Sequence, residues 1–85
     1  MKLWGKVLID NKIRADRVVA VHAKTAYDVE DWNEPFYRLC HELNLSRPVI
    51  LSKHVRDLEQ FRRTVFRPED FVEPVEFDKF EAELF

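Results

Sequence analysis

The apolar residues of this chain change their spacing near residue 28, from the alternation typical of strands to the three- and four-residue steps typical of helices. Residues 3–9 (LWGKVLI) and 17–23 (RVVAVHA) both have the pattern of a strand, and the second is rich in β-branched residues. Asp10 and Asn11, which follow the first run, favour turns. We therefore expect an antiparallel hairpin at the N-terminus.

Residues 28–44 have the pattern of an amphipathic helix, because their apolar side chains fall within an arc of about 100° on a helical wheel. These side chains belong to Val29, Trp32, Phe36, Leu39, Cys40 and Leu43. Asp28 is a suitable N-cap, and Asn44 is a suitable C-terminal cap. Pro35 indicates that the regular part of the helix begins near Asn33.

The second half of the chain has the pattern of a strand, a helix and a final strand. Residues 48–51 (PVIL) fit a short buried strand, and Ser52 is a suitable cap for a second helix that Pro68 limits. The apolar side of this helix consists of Val55, Leu58, Phe61 and Val65. Residues 75–85 fit a helix, or a strand with a bulge near Asp78, and we favour the strand.

These elements predict a single α+β domain over residues 1–85, with the order β-β-α-β-α-β. The expected architecture is a four-stranded mixed sheet with two helices packed on one face. Residues of the hydrophobic class make up 46% of the chain, which is enough for a core. The N-terminus lacks the apolar stretch of a signal peptide, and nothing resembles a membrane span, so we expect a cytoplasmic protein.

Few residues of this chain suit catalysis or cofactor binding. Gly5 is the only glycine, whereas phosphate-binding loops need several. Cys40, the only cysteine, lies on the apolar stripe, where burial makes a thiol inert. His22, His41 and His54 lie on separate elements and lack metal-ligand spacing. We expect no catalytic residue, metal or cofactor, and the pattern does not favour an enzyme.

A basic stripe on the second predicted helix is the first candidate binding site. Lys53, Arg56 and Arg63, with Gln60, recur at helical spacing opposite the apolar side. Arg47 and Arg67 flank the stripe. It fits a solvated helix face, a contact with an anionic partner or protein, or weak binding of nucleic acid. The net charge of −2 disfavours a dedicated DNA-binding protein.

The Phe-rich C-terminus is the second candidate. Phe77, Phe80 and Phe85 predict self-association if the last strand lies at a sheet edge, and the alternative is that these rings complete a small core. Charge also alternates along the chain. Residues 1–25, 26–46, 47–67 and 68–85 carry net charges of +4, −4, +4 and −6.

We therefore expect a non-enzymatic protein-interaction module whose partner is a second copy, as a homodimer, or another protein. One alternative is a weak nucleic-acid-binding protein that uses the basic stripe. A second alternative is a subunit or accessory domain of an enzyme. No part of the sequence indicates a membrane partner.

Overall fold

A four-stranded antiparallel sheet forms one layer of the structure, and two helices form the other. The computed structural model describes residues 1–85. The strands are β1 (Lys2–Ile9), β2 (Lys12–Ala20), β3 (Arg63–Phe66) and β4 (Lys79–Leu84). The helices are α1 (Asn33–Glu42) and α2 (Ser52–Phe61), and short 3-10 turns cover Ala26–Asp28 and Pro68–Asp70. The α+β class is confirmed.

The N-terminal hairpin is confirmed, although β2 covers residues 12–20 instead of 17–23. Asp10 and Asn11 both have positive φ angles, 52° and 62°, as a two-residue type I′ turn requires. The register shifts between Val7 and Leu8, which face Ala15 and Ile13, so that Arg14 is the extra residue of a β-bulge.

Helix α1 begins at Asn33, as Pro35 indicates. Its first turn is fixed by Asp31, whose Oδ1 accepts the Asn33 N–H at 2.9 Å. Asp28 instead accepts hydrogen bonds from Thr25 within the first 3-10 turn, so the prediction that it caps the helix was wrong.

The cap at Asn44 is confirmed. Asn44 has a φ of 58°, and the N–H of Leu45 donates to the Cys40 carbonyl at 2.8 Å. This pairing is the six-to-one bond of a Schellman motif, which ends α1.

The predicted order β-β-α-β-α-β was wrong, because the observed order is β-β-α-α-β-β. Residues 48–51 form no strand, and only Pro48 makes an isolated bridge, to Phe71. Helix α2 ends at Phe61 because Arg62 adopts a left-handed conformation with a φ of 60°. Val65 therefore belongs to β3 instead of the helix.

The expected mixed sheet is also corrected, since all three strand pairs are antiparallel. The strand order is β2-β1-β4-β3, which places β1 and β4 in the interior and β2 and β3 at the edges. The final strand begins at Lys79 and needs no bulge at Asp78, because Phe80, Ala82 and Leu84 alternate into the core.

Both helices pack on one face of the sheet, where sixteen buried residues form one cluster. Phe66 of β3 joins the layers, because its ring lies 5.3 Å from Phe36 of α1 and 4.2 Å from His54 of α2. The opposite face of the sheet carries no helix, and we call it the open face. Neither helix has the length or apolar character needed to cross a membrane.

Candidate interaction surface

The basic residues singled out in the sequence do not form one helical stripe. Lys53 and Arg56 are exposed on α2, but Arg63 lies on β3, where its Nη2 is 3.1 Å from Glu81 Oε2. Arg47 donates to Asn33 Oδ1 at 2.8 Å, and Arg67 precedes the second 3-10 turn. The stripe is broken because α2 ends before Arg63, which the sequence assigned to the helix.

The Phe residues divide between the core and the surface. Phe80 is fully buried and Phe77 almost so, and the Phe80 ring lies 6.1 Å from that of Phe66. Of the three Phe residues of the C-terminal candidate, only Phe85 is exposed, at 54%. Because β4 is an interior strand, the edge on which the expected dimer contact depended is absent there. The core alternative therefore describes Phe77 and Phe80.

The cysteine and the histidines do not converge. Cys40 is buried in the core, and burial raises the pKa of its thiol to about 12. His41 is exposed and stacks on Tyr37 at 6.0 Å, whereas His54 is buried beneath the second 3-10 turn. No group of three His, Cys, Asp or Glu side chains stands in a metal-binding arrangement.

Ion pairs and an indole contact organise the open face. Lys6 Nζ lies 2.9 Å from Glu83 Oε1 and 3.9 Å from the centre of the Trp4 ring. Its hydrogen bond is the main reason that the pKa of the Glu83 carboxyl is lowered. The Trp4 indole N–H donates to Asp16 Oδ2 at 2.8 Å. Much of the charge on this face is therefore paired within the monomer.

The outer edge of β2 differs, because part of its main chain has no hydrogen-bond partner. Alternate residues of a strand turn their N–H and C=O groups to opposite sides. The Val21 N–H donates to the Met1 carbonyl at 2.8 Å, so the odd-numbered residues between 15 and 20 face β1. The even-numbered residues face outward, and they are Asp16, Val18 and Ala20. This direction agrees with Arg38 Nη2, which donates to the Ala20 carbonyl at 2.7 Å.

A groove of about 370 Å³ lies between this edge and α1. Val18 and Val19 form its strand side, and Tyr37 and His41 are among the residues of its helix side. Arg38 also lines the groove, and it donates to the Ala20 carbonyl at 2.7 Å and to the Glu34 carboxylate at 2.6 and 3.1 Å. The groove therefore combines an unpaired strand edge with a partly apolar wall.

The edge strand is also strongly basic. Lys12, Arg14 and Arg17 are exposed, and none of them forms an ion pair with a carboxylate. Arg17 Nη1 donates instead to the carbonyl of Asp16 at 2.7 Å, which is one of the outward groups of the edge.

Similarity to known proteins gives no guide to this surface. No protein family model matches the chain, and neither a curated protein nor a solved structure shows significant similarity to it.

The sequence contained a signal for this edge that periodicity alone did not reveal. The segment KIRADRVVA, which forms β2, has a charged residue at Lys12, Arg14, Asp16 and Arg17. Charges this frequent are typical of an edge strand. Residues 12–16 directly follow the turn residues Asp10 and Asn11, so the sequence pattern predicts the second strand only from residue 17.

Proposed function

We propose that the protein is a non-enzymatic protein-interaction module that binds an extended segment of another protein along the outer edge of β2. The observation that carries this proposal is the outward row of main-chain groups beside the groove of α1. An extended peptide can add to such an edge as a further strand, with main-chain hydrogen bonds for affinity and side-chain pockets for selectivity.

The length of β2 supports this choice of surface. β2 has nine residues, whereas β3, the other edge, has four. Short edge strands are one means by which proteins prevent unwanted pairing, and β3 fits that description. β2 also carries charges and a bulge, which protect edges too, but these lie at residues 12–17. Val18, beyond them, has an outward N–H and C=O that are bonded to no side chain.

A proline substitution tests this binding mode. Val18→Pro removes the outward N–H, and an edge strand tolerates proline where its N–H faces solvent. We expect binding of extended peptides, measured by fluorescence anisotropy, to be lost in Val18→Pro and kept in Val18→Thr. Equal binding by both folded variants would contradict strand addition at this edge.

Self-association is a second candidate, through the open face instead of an edge. Phe85 is 54% exposed there, and Val18 is 43% exposed. Phe85 packs edge-on against Trp4 at 6.5 Å. Sedimentation at increasing concentration tests it: a dimer that Phe85→Ser abolishes supports this contact, and a monomer throughout removes it.

Binding of nucleic acid through Lys53, Arg56, Arg63, Arg47 and Arg67 is less favoured by the geometry. A phosphate-binding stripe needs its cations on one surface. Arg63 lies on the sheet and is paired with Glu81, which leaves the helix with two of the five. A cytoplasmic location agrees with the free, buried thiol of Cys40 and is part of the same proposal.

A further inference from the structure

The basic side chains of β2 restrict which extended segment its edge can accept. β2 carries Lys12, Arg14 and Arg17 against a single acidic residue, Asp16. Pairing of β2 with β2 of a second copy would join two strands that each carry three cations and one carboxylate, and like charges are unfavourable across a strand pair. The same charges attract a strand that carries carboxylates.

The two sides of the edge differ in charge. Arg17 pairs with Gly5, and a Cβ on Gly5 would meet Leu39 of α1, so Arg17 is on the α1 side of the sheet. Asp16 is on the open face, where its carboxylate accepts the indole N–H of Trp4. Lys12 pairs with Ile9, which lies on the same side of β1 as Gly5, so Lys12 is on the same side of the sheet as Arg17.

We propose that the bound segment is an acidic strand whose Glu or Asp side chains point to the α1 side, toward Arg17 and Lys12. This inference rests on the proposed function. The opposite orientation would place carboxylates beside Asp16. Near Val19, Tyr37 and His41, the same side of the bound strand meets the groove, where an apolar side chain fits.

Strand addition also changes the hydrogen bonding of Arg17. In the free protein its guanidinium donates to the Asp16 carbonyl, an outward acceptor of the edge. An N–H of the added strand would donate to this carbonyl in place of the guanidinium. The guanidinium is then released for a carboxylate of the same strand, and a charge-assisted hydrogen bond of this kind is stronger than the one to a neutral carbonyl.

Three capped peptides as long as β2, which has nine residues, test the inference. Each peptide alternates Val with one polar residue, which is Glu, Gln or Lys, except that Val also occupies the position that meets the groove. We expect the Glu peptide to bind about tenfold more tightly than the Gln peptide, a difference of about 1.4 kcal/mol. The Lys peptide should not bind, and the preference for Glu should shrink between about 0.05 and 0.5 M NaCl because salt screens exposed charges.

The double variant Lys12→Glu/Arg17→Glu is the matched test, and Lys53→Glu/Arg56→Glu on α2 is its control. The first pair should reverse the preference so that the Lys peptide binds best, and the control pair should leave the order unchanged. Equal binding of the Glu and Gln peptides would overturn the acidic selectivity while leaving strand addition intact. Binding of none of the peptides would overturn the proposed function together with this inference.

Discussion

The single glycine of the chain is explained by the close approach of a helix to the sheet. A Cβ at Gly5 would lie 2.6 Å from Leu39 Cδ2 and 3.0 Å from a ring carbon of Phe80. Gly5 lies on the interior strand β1, opposite Ala82 of β4. The small residues at these two positions let α1 pack directly on the sheet.

Gly5→Ala should therefore destabilise the protein, by about 1–3 kcal/mol, because the core has no space for the added methyl group. Urea denaturation measures the change. In the Leu39→Ala background the same substitution should be less destabilising, since the colliding side chain is absent. An equal loss in both backgrounds would mean that contact with Leu39 is not the cause.

His54 is a buried imidazole held between α2 and the second 3-10 turn. Its Nδ1 accepts the Leu51 N–H at 2.9 Å, so the proton of the neutral ring is on Nε2. Nε2 has no hydrogen-bond partner and lies 3.7 Å from Asp70 Oδ2. Burial lowers the pKa of His54 below its ordinary value of 6.5, against the attraction of Asp70.

The protein should lose stability as the pH falls below 6.5, the ordinary pKa of histidine. At such pH values His54 is protonated in the unfolded chain but still neutral in the folded protein. The free energy of unfolding therefore falls by at most about 1.4 kcal/mol per pH unit. Denaturation at about pH 7.5, 6.5 and 5.5 measures this slope. His54→Asn keeps an acceptor for Leu51 but cannot titrate, and an unchanged slope in that variant would assign the effect to another group.

At the level of secondary structure, the interior position of β4 gives the C-terminal Phe residues different roles. Phe80→Ala should lower the free energy of unfolding by about 3–5 kcal/mol, as expected for a buried aromatic ring. Phe85→Ala, at an exposed ring beyond the strand, should lower it by less than about 1 kcal/mol. Thermal denaturation of the two variants compares them, and similar losses would contradict the assigned burial.

The elements with local signals were predictable from sequence, and those fixed by long-range pairing were not. The hairpin at Asp10 and the end of α1 at Asn44 follow from residues that tolerate positive φ angles. Val65 continues the helical spacing of Leu58 and Phe61, so nothing in that pattern marks the left-handed Arg62 that ends α2. For that reason the predicted order of helices and strands was wrong at this point.

The same distinction applies to the candidate surface. The sequence shows which residues are lysine and arginine, but it does not show the strand order. That order depends on the pairing of β1 with β4, which are separated by most of the chain. Without that order, the sequence does not show that β4 is interior or that β2 is an edge. The basic edge at Arg14 and Arg17 emerges only when the sheet is assembled.

At the scale of the whole molecule, the two layers leave three kinds of surface. Both helices cover one face of the sheet, the open face is largely paired within itself, and the outer edge of β2 keeps unpaired main-chain groups beside unpaired cations. The edge is therefore a surface on which main-chain groups and cations both remain unpaired. An extended acidic segment is proposed to complete it as a fifth strand.

Amide hydrogen exchange, resolved by residue with NMR, tests this claim most directly. In the free protein the amides of Arg17 and Val19, which face β1, should exchange slowly, and those of Asp16 and Val18 should exchange quickly. Saturation with the alternating Glu peptide should slow exchange at Val18 and leave Val19 unchanged. A Val18 amide that remains fast while the peptide is bound, or that is already as slow as Val19 in the free protein, would contradict the account.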